Sequence, residues 1–279
     1  MYSQNSFYFM RDKDADEKSD SFSHGVKFFG FITVRTDSSR LPQKALLPIR
    51  GRKVIEHIID RAKSIRGLDG IVVCTSDRAQ DDVLEEIALK EGVLCFRGSL
   101  EDKLDRWRGA AEKFGADYII TLDGDDPFFG PELIEQEIEQ IKAEEPDFLN
   151  IPKGVVCGGS EFGIKTTALQ KVCEIKDTQN TEMMWVYFTD TGLFRVADFK
   201  VADPIYWNDH VRLTLDYPED YEFFKRVFEE LDIQKNTVPL KNIMELLNEK
   251  PEIAEINFSR QQEFLDNQRK KTTLKLKAA

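Results

Sequence analysis

Short apolar runs alternate with amphipathic segments of helical period along the first half of this chain. Such β-α repetition constrains the fold strongly, because it implies a parallel sheet with right-handed crossovers and helices on its faces. We therefore predict an α/β fold with a mostly parallel central sheet. The predicted strands are 27–34, 70–74, 92–96 and 118–122, and the predicted helices are 54–65, 81–90, 101–114 and 131–144.

The alternation of strands and helices is less regular after Asp147. The polar composition of both ends divides the chain into three parts. We predict a flexible arm at 1–25, one large domain at 26–258 and a polar tail at 259–279. The tail has few apolar residues, which predicts a frayed surface helix or disorder. The further strands are 148–152, 155–157, 192–196 and 211–215, and the further helices are 166–175, 217–231, 240–248 and 252–256.

Composition excludes several classes of protein. Charged residues make up 32% of the chain and no long apolar run occurs, so a membrane span is not expected. The formal net charge of −12 argues against broad nucleic-acid binding. The first residues lack the order of a signal peptide, although the apolar run 7–10 could dock on a surface. The cysteines stand far apart without CxxC spacing, which favours buried thiols and a cytoplasmic location; they are Cys74, Cys95, Cys157 and Cys173.

A cationic loop follows the first predicted strand. No acidic residue occurs from Ser38 to Ile55, whereas Arg40 and Lys44 lie in this stretch and Arg35 precedes it. Open α/β sheets bind ligands beyond the carboxyl ends of their strands, and Arg and Lys both suit phosphate. The loop is therefore a candidate polyphosphate site. A solvated basic loop explains the charge equally well.

Carboxylates follow two other predicted strands. Residues 123–126 (DGDD) come directly after one strand, and Asp216 comes directly after another. Both groups are expected at the same sheet edge as the cationic loop, facing solvent, where oxygen ligands suit Mg²⁺. An acidic turn is the alternative for DGDD. Glu219 and Asp220 are expected to open the following helix.

Residues 35–44 fit the pattern R-x-x-S-x-R-L-P-x-K, which resembles the signature of the CMP-sugar cytidylyltransferases. The resemblance is closest to the SpsF-like branch and more distant to CMP-Kdo and CMP-sialic acid synthetases. Segments 96–106, 124–127 and 216–220 agree with the family in order and spacing. The family usually has glycine where Asp37 and Gln43 stand, so the freedom of positive φ is lost at both positions.

The resemblance implies a Rossmann-like nucleotide-diphospho-sugar transferase fold with a small projecting element for dimerisation or acceptor binding. It implies Mg²⁺ as cofactor and CTP as one substrate, with an anionic sugar or a phosphonate as the other. The implied catalytic residues are Arg35, Arg40 and Lys44, and the implied metal ligands are Asp125 and Asp216, which Asp123 could assist. The implied nucleotide-binding residues are Val34, Ser39, Thr75, Ser76, Arg97, Ser99 and Asp125.

The implied reaction is attack by an acceptor oxygen on the α-phosphorus of the nucleotide, with loss of pyrophosphate. No covalent intermediate is required, so positioning and electrostatics carry the catalysis. This fits the three histidines, because His57 is expected to pack, His24 lies in the arm and His210 is expected to be structural. Arg97 either contacts the base or only supports its loop.

Acceptor contacts are expected between residues 153 and 182, with Lys165 or Arg195 holding a carboxylate. Three rival functions remain open: a nucleotidyltransferase using GTP or UTP with a sugar 1-phosphate, a GT-A glycosyltransferase, and a degenerate nucleotide-binding regulator. The apolar run 183–188 predicts either a homodimer interface across 181–194 or a second part of the core.

Overall fold

A computed structural model describes residues 25–278 of the chain. The expectations for the arm, including the apolar run 7–10 and His24, lie outside the described residues. Across the described part, we find no helix long and apolar enough to cross a membrane. A cytoplasmic location stays a prediction.

A seven-stranded sheet in the order β5-β4-β1-β6-β8-β7-β9 organises the molecule. The four strands β5, β4, β1 and β6 are mutually parallel, and β8 runs antiparallel to β6 and β7. The α/β class and the mostly parallel sheet are therefore confirmed. The strands are β1 Phe28–Thr33, β2 Pro48–Ile49, β3 Arg52–Lys53, β4 Gly70–Ser76, β5 Leu94–Gly98, β6 Tyr118–Asp123, β7 Phe148–Asn150, β8 Gly163–Lys165 and β9 Val196–Asp198, of which β2 and β3 form a separate hairpin.

Ten α-helices connect and cover the strands in the described part of the chain. Several begin where the sequence predicts, such as α4, whose first turn contains Pro131. Helix α3 begins at Lys103 rather than at residue 101, because Asp102 caps it by accepting a hydrogen bond from the Asp105 amide at 3.1 Å. The helices are α1 Val54–Ala62, α2 Asp82–Lys90, α3 Lys103–Phe114, α4 Pro131–Glu144, α5 Thr166–Ile175, α6 Val186–Thr189, α7 Pro218–Glu230, α8 Leu240–Glu249, α9 Pro251–Phe258 and α10 Gln261–Lys271.

The sheet separates two apolar cores, because side chains of successive strand residues point to opposite faces. In β1, Phe28 and Ile32 enter the larger core, whereas Phe29 and Phe31 enter the smaller one. The smaller core also takes in residues of the run 183–188, namely Met184, Val186, Tyr187 and Phe188. The structure thus assigns most of this run to the core of its own chain.

Three sequence predictions of strands need correction. Residues 155–157 and 211–215 form only isolated bridges, because they are pinned at single points, Leu213 N to Cys157 O and Leu215 N to Asp125 O, without a continuous ladder. The strand expected at 192–196 begins only at Val196, where pairing with β7 starts.

The tail forms helix α10, which has no fully buried residue and is therefore a surface helix.

Candidate active site

The cationic loop and the DGDD segment leave the sheet side by side. Strands β1 and β6 pair in parallel with Thr33 opposite Asp123, and Gly124 N donates to Thr33 O at 2.9 Å. A Cβ at Gly124 would lie 2.6 Å from Val34 Cβ, so only glycine permits this close approach. Both segments therefore begin at one point on the carboxyl edge of the sheet, as the sequence predicts.

Lys44 joins the two predicted carboxylate positions. Its Nζ lies 2.6 Å from Asp125 Oδ2 and 2.8 Å from Asp216 Oδ1. Burial opposes the charge on Lys44, but the adjacent Asp125 and Asp216 outweigh burial and raise its pKa. Lys44 therefore stays protonated at neutral pH and holds the loop, the DGDD segment and Asp216 together.

Asp216 is buried rather than facing solvent, with 1% of its surface exposed. The sequence expectation of a solvent-facing carboxylate is wrong here, because Arg40 and Arg212 cover it as well as Lys44. Arg40 Nη2 lies 2.5 Å and Arg212 Nη2 3.3 Å from its oxygens. Burial disfavours the charge of Asp216, yet Lys44 and Arg40 outweigh burial and lower its pKa.

Asp220 fixes the backbone around Asp216. Its Oδ2 accepts hydrogen bonds from the amides of Asp216 and Tyr217, both at 2.8 Å, at the start of α7. Its Oδ1 accepts from Arg212 Nε at 3.0 Å, and Arg212 in turn contacts Asp216. The prediction that Asp220 opens the helix is confirmed, and Arg212 is a buried residue of the site that sequence reasoning missed.

The DGDD segment concentrates negative charge. Carboxylate oxygens of Asp123, Asp125 and Asp126 lie within 4.8 Å of one another. Burial, followed by the charges of Asp125 and Asp123, raises the pKa of Asp126 well above its usual range. Glu161 lies beside them and accepts from Asp123 N at 3.1 Å. Burial, followed by the charge of Asp123, likewise raises its pKa.

These carboxylates fit a hard divalent cation. The Oδ1 atom of Asp126 is buried and has no hydrogen-bond partner among the described residues. Buried polar atoms are normally satisfied, and this one lies in an all-oxygen donor set of the kind that Mg²⁺ prefers. A cation at this position would also relieve the repulsion among the three aspartates.

The two departures from the family's glycines differ in consequence. Gln43 has φ of 53° and ψ of 30°, a left-handed conformation that favours glycine. Asp37, by contrast, does not have positive φ and is exposed. The expected loss of backbone freedom therefore has a structural basis at Gln43 alone.

A cleft of about 870 Å³ opens above these groups, at the upper end of the range for small-molecule sites. Seven of the implied site residues line this cleft; they are Val34, Arg35, Ser39, Arg40, Lys44, Asp125 and Asp216. The cleft also contains Lys153, Asn180 and Glu182, which lie in the region expected to contact the acceptor.

The four residues expected to contact the base do not line this cleft. Thr75 and Ser76 are buried, and the Ser76 hydroxyl donates to Asp81. Arg97 donates to the carbonyls of Ser76 and Arg78, so it supports its loop. Ser99 Oγ accepts from Asp102 N at 3.1 Å. Their role in base recognition stays a prediction.

Asp81 explains why the loop after β1 holds its shape. Its Oδ1 accepts from both the amide and the hydroxyl of Thr36, at 2.8 and 2.6 Å, and its other oxygen accepts from Ser76. Asp81 thus ties the cationic loop to the end of β4. The sequence predicts Asp81 only as the first residue of a helix, and that position does not indicate this link.

Other predicted residues lie away from the cleft. Lys165 pairs with Tyr118 at the amino end of β6, and Arg195 donates to the Glu145 carbonyl nearby, so neither can hold an acceptor at the carboxyl edge. His57 packs in the core with Nε2 2.9 Å from Ile49 O, as expected. His210 is exposed and packs on Phe258, outside the cleft. The four cysteines are free thiols, of which Cys74 is buried.

Comparison with known proteins agrees with this geometry. Residues 29–271 match the family model described as "Cytidylyltransferase". "Spore coat polysaccharide biosynthesis protein SpsF" from Bacillus subtilis (strain 168) is 30% identical over 230 residues, which are 80% of this chain and 95% of that protein. "8-amino-3,8-dideoxy-manno-octulosonate cytidylyltransferase" from Shewanella amazonensis is 34% identical over 120 residues, covering 42% of this chain and 48% of that protein.

A solved structure is also similar over most of the chain. A cytidylyltransferase from Leptospira borgpetersenii superposes with a TM-score of 0.75 and 25% identity, covering 82% of this chain and 97% of that one. Three findings on the present chain agree: its fold, its match to the family model, and the grouping of Lys44, Asp125 and Asp216 at one sheet edge. The chain belongs to the cytidylyltransferase family and is a nucleotidyltransferase.

Proposed function

We propose that this enzyme transfers CMP from CTP to an anionic sugar of the ulosonic acid type, or to a related phosphate or phosphonate, in a reaction that requires Mg²⁺ and releases pyrophosphate. The relatives support a sugar acceptor, because one is named for spore coat polysaccharide biosynthesis and another for a manno-octulosonate substrate. The product would then serve the assembly of a surface polysaccharide or glycoconjugate.

The observation that carries the proposal is the contact of Lys44 with both Asp125 and Asp216, at 2.6 and 2.8 Å. It brings a cationic loop suited to phosphate against carboxylates suited to a divalent cation. Nucleotidyl transfer needs both partners at one point, because charge on the triphosphate must be held and neutralised as pyrophosphate leaves.

Arg40 and Lys44 would hold the triphosphate through charge-assisted hydrogen bonds, which are the stronger class. Asp125 and Asp216 would hold Mg²⁺, with Asp123 or Asp126 beside them. A bound Mg²⁺ would neutralise the charge that develops on the pyrophosphate. Arg212, which contacts Asp216 at 3.3 Å, would hold that carboxylate in place. Arg35, whose Nη1 donates to Leu100 O at 3.1 Å, would line the approach to the phosphates.

The test is pyrophosphate release across CTP, UTP, GTP and ATP, each with ulosonic acids, sugar 1-phosphates and phosphonates as acceptors. The proposal predicts release with CTP and an ulosonic acid or phosphonate, and none when Mg²⁺ is chelated. Release with GTP or UTP and a sugar 1-phosphate would favour that rival. Turnover only with a nucleotide-sugar donor would favour a glycosyltransferase.

A further inference from the structure

The C-terminal helix α10 contributes to the lining of the cleft although none of its residues is buried. Its first turn is held by Arg260, which donates to Glu219 at 2.8 Å, and its middle by Asn267, which donates to the Tyr217 hydroxyl at 3.2 Å. Its last residue, Lys271, pairs with Glu182 at 3.2 Å. The helix therefore connects the segment after Asp216 with Glu182.

The chain after α10 fastens this end of the helix. Leu276 forms an antiparallel bridge with Lys176, and Lys277 N donates to Ile175 O at 2.8 Å. Asp177 N donates to Lys275 O at 2.8 Å. These backbone contacts anchor the chain that follows α10 to the segment 175–177.

Helix α10 is also linked to the carboxylate proposed to hold the metal. The Arg212 guanidinium lies 4.2 Å from the centre of the Phe264 ring and contacts Gln261 at 3.4 Å. The same guanidinium contacts Asp216 at 3.3 Å. Arg212 thus contacts both α10 and Asp216.

The wall that α10 adds to the cleft is chemically unlike the triphosphate loop. It consists of Phe264, Leu265, Asn267, Gln268 and Lys271. The single cation of this set, Lys271, is neutralised by Glu182. The Gln268 side-chain amide has no hydrogen-bond partner among residues 25–278, whereas its backbone carbonyl accepts from the Thr272 hydroxyl at 2.8 Å.

Amide groups with apolar neighbours do not suit a triphosphate, which needs cations. They do suit a hydroxylated carbon skeleton, because an amide can both donate to and accept from hydroxyl groups. We infer that α10 forms one wall of the acceptor subsite and that Gln268 is a specificity-determining residue for a polyhydroxylated acid. This inference rests on the proposed function.

The test compares Gln268→Ala with a matched control, Gln262→Ala, in the full chain. Gln262 lies on the same helix, is exposed and bonds to Asp266 outside the cleft. Steady-state pyrophosphate release is measured with Mg²⁺ and CTP, using 3-deoxy-manno-octulosonate and N-acetylneuraminate as acceptors. Circular dichroism melting confirms that both variants are folded.

Gln268→Ala is expected to raise the KM for the acceptor by about tenfold, the effect of losing one hydrogen bond to a ligand. The KM for CTP should be unchanged, and the control should behave as the wild type. An unchanged acceptor KM, or an equal rise in the KM for CTP, would overturn the inference and leave the proposed function intact. Absence of turnover with both acids in the wild-type enzyme would contradict the proposed ulosonic-acid function and the inference with it.

Discussion

Replacing Gln43 by glycine should stabilise this protein, although the substitution removes a side chain. Gln43 has φ of 53° and ψ of 30°. A residue with a Cβ loses about 1–2 kcal/mol in this conformation, which glycine adopts freely. Glycine also lowers the stability of the folded state by about 0.5–1 kcal/mol, because it increases the conformational entropy of the unfolded chain. With the middle of each range, the net gain is about 0.8 kcal/mol, which corresponds to a rise of roughly 2–3 °C in Tm for a chain of this size.

Gln43→Ala is the matched control, because it removes the same exposed side chain but keeps the Cβ. Thermal melts followed by circular dichroism, without nucleotide, compare the two variants with the wild type. Gln43→Gly should melt above both Gln43→Ala and the wild type, and its affinity for CTP should be equal or higher. A Tm for Gln43→Gly at or below that of Gln43→Ala would refute the argument from backbone strain.

Four further predictions concern charge and assembly. Lys44→Met should weaken triphosphate binding in calorimetry and also cost about 1–3 kcal/mol of stability, because it removes one buried charge partner of Asp125 and Asp216 while Arg40 and Arg212 still pair with Asp216. A wild-type Tm would contradict the buried role of Lys44. Asp126→Asn should raise the Tm of the metal-free protein, because it relieves the repulsion from Asp123 and Asp125, and the unfolding free energy should rise by about 1–3 kcal/mol. Mg²⁺ should stabilise this variant less than it stabilises the wild type, and a lowered Tm would count against like-charge repulsion. Burial raises the pKa of Glu137 from 4.5 to about 8, so between these pH values the native state holds a proton that the unfolded chain has lost, and the free energy of unfolding without metal should fall as pH rises. Denaturant unfolding at several pH values should show a smaller fall in Glu137→Gln than in the wild type, and an equal fall in both proteins would contradict this. Segment 181–194 is predicted to form a homodimer interface, which light scattering at micromolar concentration should detect, and a strict monomer would contradict the dimer. Trp185→Glu should dissociate the dimer without unfolding the chain.

The parallel half of the fold could be predicted from sequence because its signals are local. Buried strands such as β4 and periodic helices such as α4 and α5 begin at the predicted residues. The segment 211–215 looks like a strand for the same local reason, a run of alternating and β-branched residues. Its backbone partners are Cys157 and Asp125, and no local pattern specifies pairing at such separated points.

The central charges of the site were also predictable, whereas their surroundings were not. Arg40, Lys44 and Asp125 belong to one recognisable pattern or follow a clear strand. The burial of Asp216 depends on Arg212, and the shape of the cationic loop depends on Asp81, a contact across 45 residues. Helix α10 was the hardest to place, because a polar helix without an apolar face gives no signal of what it covers.

The most direct test of the account is a crystal structure of the enzyme with CTP and Mn²⁺, which shares the oxygen ligands of Mg²⁺ and scatters anomalously. We predict one anomalous peak bound by the carboxylate of Asp125, with Asp216 facing the same ion, and the triphosphate against Arg40 and Lys44. A triphosphate that lies away from the cationic loop, or an ion that avoids Asp125 and Asp216, would contradict the account.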